Sequence, residues 1–276
     1  MSGRGLENYK LDIGKALSTL LISHTEYISK LSLWKKFLVW RYTLGSGSVN
    51  ARLIGIDKPE NSFFWAKNFF LSYNWKYYGL DKIEAPYKKY ERYFKSPALL
   101  TIQDPIIPQL IDQYTKDLQK IILKAPPVPD DILVYKSSSI YNPILTQEIK
   151  KPTPLEQLPF NSTSYDPEFE FNFFLAPDAM GVMWQITIPK GSHVLAVNKA
   201  FHAYPFENEI ILPHGSTFIL KSAVQTKLQY VSKDHLKLEQ VQKQPFVIGE
   251  VFRPIPYYEP PIKESNIRLI KATFKN

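Results

Sequence analysis

Apolar residues recur at helical spacing along the first part of the chain. Between Tyr9 and Trp40 they lie three and four positions apart, with few helix breakers beyond Gly14, and this pattern predicts two helices. The run from Gly45 to Ser48 ends the second helix, and a further short helix is predicted from Val49 to Ile54. Ile107 to Leu123 has the apolar spacing of one amphipathic helix.

A stretch rich in aromatic side chains lies between these helices. From Phe63 to Phe94, thirteen of 32 residues are aromatic, and six lysines and arginines are interleaved with them. Such a mixture can stack single-stranded bases, so nucleic-acid binding is kept as an alternative. A helical insert over residues 56–109, with its aromatics packed inward and its lysines in solvent, is the more frequent cause of this pattern and is our prediction.

After Ala125-Pro126-Pro127-Val128-Pro129 the pattern changes to short runs rich in Val, Ile, Thr and Tyr, separated by Gly, Pro, Asn and Ser. Runs of this kind predict strands. We place them at Ile132 to Lys136, Leu158 to Thr163, Val182 to Ile188, Val194 to Val197, Glu209 to Leu212, Thr217 to Lys221, Lys227 to Val231, Leu236 to Val241 and Ile267 to Phe274.

Helices first and strands afterwards indicate an α+β fold rather than alternating βαβ units. We divide the chain into a helical part, residues 1–125, and a β-rich part, residues 126–276. The two are expected to form one compact unit, because the length suits a single large domain. Five prolines between Pro245 and Pro261 predict an extended strap along the surface.

The composition excludes several kinds of site. The 276 residues include no cysteine, so disulfides, thiolate catalysis and zinc ribbons are excluded. The five histidines are scattered without the spacing of metal ligands, and we predict no metal. No apolar run approaches the roughly 18 residues of a membrane span, and the first 30 residues lack the features of a signal peptide. We therefore expect no membrane contact and action in a cytoplasm.

The formal net charge of +8 is unevenly distributed. Residues 1–130 carry 19 basic against 12 acidic side chains, whereas residues 131–276 carry 15 against 14. A mildly basic surface favours acidic partners, which include protein patches, nucleic acid and phosphate-bearing ligands.

Two carboxylates lie two residues apart at the start of an apolar strand. Side chains at i and i+2 of a strand point to one face, so Glu207 and Glu209 are expected to converge. Two like charges held close together cost free energy unless a cation or a proton donor lies between them. The alternative is a solvated loop end, where most glutamates are found.

Four separated segments carry a further pattern. They are Trp40-Arg41-Tyr42-Thr43 with Val49-Asn50-Ala51-Arg52-Leu53, Ala125-Pro126 through Asp131-Ile132-Leu133-Val134-Tyr135-Lys136, Phe160-Asn161-Ser162-Thr163-Ser164, and Ile186-Thr187-Ile188-Pro189-Lys190-Gly191-Ser192 followed by Tyr204 through Glu207 and Glu209 to Gly215. In this order they resemble the ADP-ribosyltransferase exotoxin family, the mono-ADP-ribosyltransferases of clostridial binary toxins, insecticidal relatives and Rho-modifying exoenzymes. Each motif is short, but the ordered set is specific.

The resemblance implies NAD as co-substrate and a role for each acidic residue. Glu209 would hydrogen-bond the ribose 2′-hydroxyl and stabilise the positive charge that develops when the bond to nicotinamide breaks. Glu207 would orient and help to deprotonate an acceptor guanidinium. Tyr204 would recognise that acceptor, and Ser162 would brace Glu209 through a hydrogen bond.

The same resemblance implies which residues bind NAD. They are Asn50, Arg52, Tyr135, Lys136, Thr163, Ser164 and Phe171, the last as one of four phenylalanines able to stack on nicotinamide. The chain departs from the family at two positions, because the family has arginine where this chain has Lys136 and Ile54. Lysine keeps the charge but loses the two-pronged hydrogen bonding of arginine to pyrophosphate.

The expected architecture is therefore α+β, with N-terminal helices packed on two roughly orthogonal antiparallel sheets. Our leading hypothesis is a mono-ADP-ribosyltransferase that transfers ADP-ribose from NAD to an arginine of a target protein, with NAD hydrolysis as a side activity. The two departures motivate an alternative from another class, a weakened or inactive relative that serves as a binding or structural module.

Overall fold

The computed structural model of the chain describes residues 4–77, 82–139, 148–166, 181–197, 199–204, 207–230 and 263–275. Seven α-helices within these residues occupy the N-terminal half: α1 (Arg4–Lys30), α2 (Leu33–Leu44), α3 (Gly47–Leu53), α4 (Pro59–Tyr77), α5 (Ala85–Lys88), α6 (Glu91–Lys95) and α7 (Ile106–Leu123). Short 3₁₀ turns cover Pro97–Leu99 and Lys199–Phe201. None of the helices in this part of the chain is both long and apolar enough to cross a bilayer.

Eight strands follow the helices: β1 (Ile132–Ser139), β2 (Thr153–Gln157), β3 (Asn161–Ser164), β4 (Gly181–Ile188), β5 (Leu195–Ala196), β6 (Glu209–Leu212), β7 (Ser216–Tyr230) and β8 (Lys263–Lys275). They are hydrogen-bonded in the order β2-β7-β8-β4-β1-β3-β6-β5. The α+β class predicted from the order of helical and strand patterns is confirmed.

The sheet differs in detail from the expected pair of antiparallel sheets. Among the described residues the eight strands form one hydrogen-bonded sheet, and β4 and β8 are parallel. The connection between β1 and β3 is narrow, since its register consists of the single pair Tyr135 and Ser164. The sheet therefore has a long part, from β2 to β1, and a short part made of β3, β6 and β5.

Two strand predictions need correction. We did not predict β2, which contains Pro154. A proline is tolerated there because β2 lies at the edge of the sheet and pairs with β7. We also divided β7 in two, whereas it is one strand with a register shift between Leu220 and Ser222. The predicted strand from Leu236 to Val241 and the strap from Pro245 to Pro261 lie outside the described residues.

Two groups of buried side chains make up the core. One lies between the helices and is rich in aromatic rings, among them the fully buried Phe69, Phe70, Tyr87 and Phe94. The other lies between α1 and one face of the sheet. Most of the described aromatic rings between Phe63 and Phe94 therefore pack inward, as predicted, and the rings buried there are not available to stack on bases.

Candidate active site

The two carboxylates of the Glu-x-Glu pair stand where the chain enters β6. The Glu209 side chain, on the first residue of the strand, is 5% exposed, and that of Glu207 is 22% exposed. Asn208 between them has a φ of 51°, in the left-handed region that non-glycine residues seldom adopt. Simple strand alternation therefore does not account for the convergence of the pair.

Hydrogen bonds with the two residues that follow β3 hold Asn208 in this conformation. The Tyr165 hydroxyl donates to Asn208 Oδ1 over 2.9 Å, and the Tyr165 backbone N–H donates to the Asn208 carbonyl over 3.2 Å. Asn208 Nδ2 donates to Asp166 over 3.3 Å. Asparagine tolerates a positive φ better than most residues, so its side chain and its backbone both suit this position.

A buried imidazole lies between the two acids. His202 Nε2 is 2.8 Å from Glu209 Oε2 and 3.7 Å from Glu207 Oε2. The Tyr204 backbone N–H donates to His202 Nδ1 over 2.8 Å. Because Nδ1 accepts this hydrogen bond, the ring proton of the neutral imidazole lies on Nε2 and points to Glu209. His202 is thus the proton donor that a close pair of carboxylates requires.

Sequence reasoning missed His202. It was one of five histidines without the spacing of metal ligands. It lies in a loop, where no helical or strand periodicity indicates which way a side chain points. Its position seven residues before Glu209 is the one signal that could have drawn attention to it.

The same three residues also have the composition of a metal site. Ligand atoms of His202, Glu207 and Glu209 all lie within 4.8 Å of one another. A histidine that binds a metal usually donates its other ring N–H to an acceptor. Here the other nitrogen, Nδ1, accepts a hydrogen bond from Tyr204 instead. The arrangement therefore fits hydrogen bonding between imidazole and carboxylate better than metal ligation.

The Ser-Thr-Ser strand, β3, lies directly beside β6. Ser164 is the register partner of Glu209 and Ser162 that of Ile211, so both serines lie on the face of Glu209. Ser164 Oγ donates to the Glu207 carbonyl over 2.8 Å, and Thr163 Oγ1 donates to the Ile210 carbonyl over 2.7 Å. The strand motif therefore fixes the backbone that carries both acids.

Ser162 contacts a buried tyrosine of α2. Its hydroxyl donates to the Tyr42 hydroxyl over 3.2 Å, and the predicted brace to Glu209 stays a prediction. Asn50 of α3 also hydrogen-bonds the Tyr42 hydroxyl and accepts from the Phe160 backbone N–H over 3.1 Å. Burial, and secondarily the charge of Glu209, raises the pKa of Tyr42 far above its ordinary value.

Thr43, the next residue of α2, holds the loop that carries His202. Its hydroxyl accepts from the Ala203 backbone N–H over 2.9 Å and donates to the Trp40 carbonyl over 2.8 Å. Tyr42 and Thr43 were recognised only as a motif. In the folded protein they connect α2 to the two segments that form the site.

Tyr204 begins a turn that ends at the first acid. The Glu207 backbone N–H donates to the Tyr204 carbonyl over 3.0 Å, and the Tyr204 side chain is half-buried. The backbone of the predicted acceptor-recognition residue therefore contacts Glu207 and also His202, the imidazole that contacts Glu209.

The predicted NAD-binding residues of β1 lie on opposite faces of the sheet. Tyr135 is the register partner of Ser164, which in turn faces Glu209. Lys136 pairs with Trp184, a side chain of the core on the other face. Strand register thus places Tyr135, and not Lys136, on the same face of the sheet as Ser164 and Glu209. The role of Lys136 stays a prediction.

Arg52 is engaged by two acids at the surface. Its guanidinium contacts Asp112 of α7 at 2.5 and 2.8 Å and Asp57 at 3.4 Å. The hydrogen bond to Asp112 is the main cause of a raised pKa for Arg52. The described side-chain contacts of Arg52 are therefore with these two aspartates. The remaining predicted NAD residue, Phe171, is outside the described residues.

Comparison with solved structures identifies the fold. Plx2a, an ADP-ribosyltransferase toxin from Paenibacillus larvae, superposes with a TM-score of 0.51 at 14% identity, covering 96% of this chain and 97% of that one. BECa, the ADP-ribosylating toxin of a binary enterotoxin of C. perfringens, solved with NADH, gives a TM-score of 0.51 at 11% identity, covering 96% of this chain and 48% of that one.

Sequence comparison gives the family. No curated protein sequence matches the chain. The family model for the ADP-ribosyltransferase exoenzyme, in contrast, matches residues 98–244, a range that covers more than half of the chain and includes β3, His202 and both acids. The chain therefore belongs to the ADP-ribosyltransferase exoenzyme family.

Proposed function

We propose that the protein is a mono-ADP-ribosyltransferase that transfers ADP-ribose from NAD to an arginine of a target protein. The observation that carries this proposal is the Glu207, His202 and Glu209 arrangement, in which one acid is buried at 5% exposure and the other is 22% exposed. The structure of BECa with NADH supports a nicotinamide dinucleotide as the co-substrate.

Glu209 suits the step that breaks the bond between ribose C1′ and the nicotinamide nitrogen. As nicotinamide leaves with the bonding electrons, positive charge develops on the ribose, and a fixed carboxylate stabilises it. The stabilisation is larger in a site shielded from water, since electrostatic interactions are less screened there. Burial of Glu209, its contact with His202 and its place opposite Ser164 keep it fixed.

Glu207 suits the acceptor step. A guanidinium ion is protonated at neutral pH and must lose a proton as its nitrogen bonds to C1′. The carboxylate of Glu207, more exposed than that of Glu209, can both attract the guanidinium and take that proton. Tyr204, on the same turn, offers an aromatic face to a planar cation.

The NAD-binding residues are proposed from their placement. Tyr135 lies on the face of Ser164 and Glu209, and Asn50 holds Tyr42 and Phe160 beside β3. Arg52 would have to exchange Asp112 for the pyrophosphate in order to bind it. The alternative of an inactive relative is not favoured by the family match, and both acids needed for the chemistry are present.

Labelled NAD, a cell extract and the purified protein test this proposal. We expect a labelled protein band, with mass spectrometry locating ADP-ribose on arginine. Labelling should be absent with Glu209→Gln and unchanged with Glu156→Gln, a matched control on the exposed side of edge strand β2. Equal labelling by Glu209→Gln, or modification of residues other than arginine, would contradict the proposal.

A further inference from the structure

We propose that His202 is a positioning residue of this site, which orients the Glu209 carboxylate and couples it to the turn that carries Tyr204 and Glu207. The inference rests on the proposed function for its effect on catalysis. Its structural part, the hydrogen bond from His202 to Glu209, stands independently.

The position of the ring is set on both sides. Nδ1 accepts from the Tyr204 N–H over 2.8 Å and Nε2 donates to Glu209 Oε2 over 2.8 Å. With a residue exposure of 6%, the imidazole exchanges neither contact readily for water. A backbone amide can only donate, so this geometry selects one tautomer of the neutral ring.

The hydrogen bond from His202 gives the two carboxylate oxygens of Glu209 different roles. Oε2 accepts from His202, and Oε1 is then left pointing in a direction that the imidazole determines. Without this hydrogen bond, rotation about the terminal torsion of the glutamate side chain would leave the carboxylate with a broad range of orientations. Fixing that orientation places Oε1 to accept a hydrogen bond from a ribose hydroxyl without reorganisation at the moment of reaction.

The same ring separates the two acids. Nε2 lies 3.7 Å from Glu207 Oε2, a longer distance than the 2.8 Å to Glu209. The Nε2–H dipole partly offsets the repulsion between the carboxylates. Glu209 is thus held directly, and Glu207 is held through the turn, because its N–H donates to the carbonyl of Tyr204.

The turn and the buried acid are therefore coupled through one side chain. Movement of Tyr204 when an acceptor binds would be transmitted through its N–H to Nδ1 and through Nε2 to Glu209. The loop itself is anchored to α2, since Ala203 N–H donates to Thr43 Oγ1. Other titratable groups that act electrostatically on Glu209 from the helices are Tyr42 and Tyr114.

Three substitutions separate this role from general support of the fold. In His202→Gln the side-chain amide can reach the position of Nε2 and donate to Glu209. In His202→Asn the amide is too short to reach Glu209 but can still accept from Tyr204 at the position of Nδ1. His202→Leu keeps the volume and removes both contacts. His193→Gln, at a half-buried histidine bonded to the Ala125 carbonyl, is the matched control.

The experiment measures nicotinamide release from NAD, with thermal unfolding of each variant as a check on folding. We expect kcat to fall about 100-fold in His202→Leu and His202→Asn, the size of effect produced by a misplaced catalytic group, with KM for NAD changed less than about threefold. His202→Gln should retain kcat within about tenfold of wild type. His193→Gln should match wild type.

Equal kcat in wild type and His202→Leu, or failure of His202→Gln to exceed His202→Asn in activity, would overturn the inference. Ring ¹⁵N NMR provides a readout that needs no activity, since His202 should show a protonated Nε2 and an unprotonated Nδ1. The opposite tautomer would also overturn it. A wild-type protein that releases no nicotinamide but shows the expected tautomer would contradict the proposed function and leave the His202 arrangement supported.

Discussion

The hydroxyl of Tyr42 on α2 lies 3.2 Å from the hydroxyl of Ser162 on β3. This contact joins the helical half of the chain to the strand beside the acids, and Asn50 of α3 shares it. Tyr42 itself is 2% exposed, so water cannot take the place of Ser162 or Asn50 as a hydrogen-bond partner of its hydroxyl. The helical half therefore contributes directly to the geometry of the site.

Removing this hydroxyl should destabilise the protein. In Tyr42→Phe, the half-buried Ser162 and Asn50 lose a hydrogen bond to a buried hydroxyl. The net loss of such a hydrogen bond costs about 0.5–1.5 kcal/mol of unfolding free energy. Urea denaturation measures the change. Tyr90→Phe is the matched control, because the equally buried Tyr90 hydroxyl has no hydrogen-bond partner among the described residues, and its removal should cost nothing. An equal loss in both variants would contradict the role of Tyr42.

The left-handed conformation of Asn208 should be required for activity. Asn208→Val places a β-branched side chain at a φ of 51°, and such strain costs about 1–3 kcal/mol. We expect the turn to relax, Glu207 to move and nicotinamide release to fall. Asn208→Gly keeps the conformation and loses only the side-chain bonds to Tyr165 and Asp166. It should retain more activity than Asn208→Val, and the reverse order would count against this account.

Stability should fall in mild acid because of His24. This buried side chain bonds the Pro126 carbonyl and the Ala196 N–H, and burial is the main cause that lowers its pKa from 6.5 to about 4. The unfolded chain therefore binds a proton more readily than the folded one. The stability that neutral His24 contributes is complete above pH 6.5 and is lost as the pH falls through about 4.

The expected loss between these limits is about 3 kcal/mol. Urea denaturation at pH 4 and pH 7 measures it, and His24→Gln should reduce the difference between the two pH values while lowering stability at pH 7. His193, whose charge also lowers the pKa of His24, is replaced in a parallel variant. An unchanged pH dependence in His24→Gln would show that other groups are responsible.

Tyr135 should matter more to NAD binding than Lys136. Tyr135 lies on the face of Ser164 and Glu209, whereas Lys136 pairs with Trp184 on the other face. In a Glu209→Gln background, where NAD stays intact, we expect Tyr135→Ala to raise Kd about tenfold, equivalent to about 1.4 kcal/mol. Calorimetry measures both variants. A larger increase of Kd in Lys136→Ala than in Tyr135→Ala would contradict this prediction and favour the contact between Lys136 and the pyrophosphate that the family resemblance implies.

Much of the fold followed from local patterns. The apolar spacing of α7 and the compact run of β6 led to bounds within one residue of those observed. Both elements bury their apolar side chains against the core, and the spacing of those side chains can be read directly from the sequence. β2 was not predicted and β7 was divided in two. β2 is an edge strand, where a proline such as Pro154 is tolerated, and β7 is a long strand with a register shift between Leu220 and Ser222.

The site was predictable as a set of motifs and not as a set of contacts. Glu207, Glu209 and the Ser-Thr-Ser strand carry recognisable spacing, whereas His202 and Tyr42 join the site through hydrogen bonds between segments far apart in the chain. The convergence of the two acids was expected from strand alternation. It arises instead from a left-handed residue and an imidazole, neither of which a periodic pattern reveals.

The division of roles between the two acids is the central claim, and one measurement tests it most directly. Nicotinamide release and ADP-ribosylation of agmatine, a simple guanidine acceptor, are followed together for wild type, Glu207→Gln and Glu209→Gln. We predict that Glu209→Gln loses both reactions, and that Glu207→Gln loses transfer to agmatine but still releases nicotinamide by hydrolysis. Undiminished transfer by Glu207→Gln, or nicotinamide release by Glu209→Gln at the wild-type rate, would contradict it.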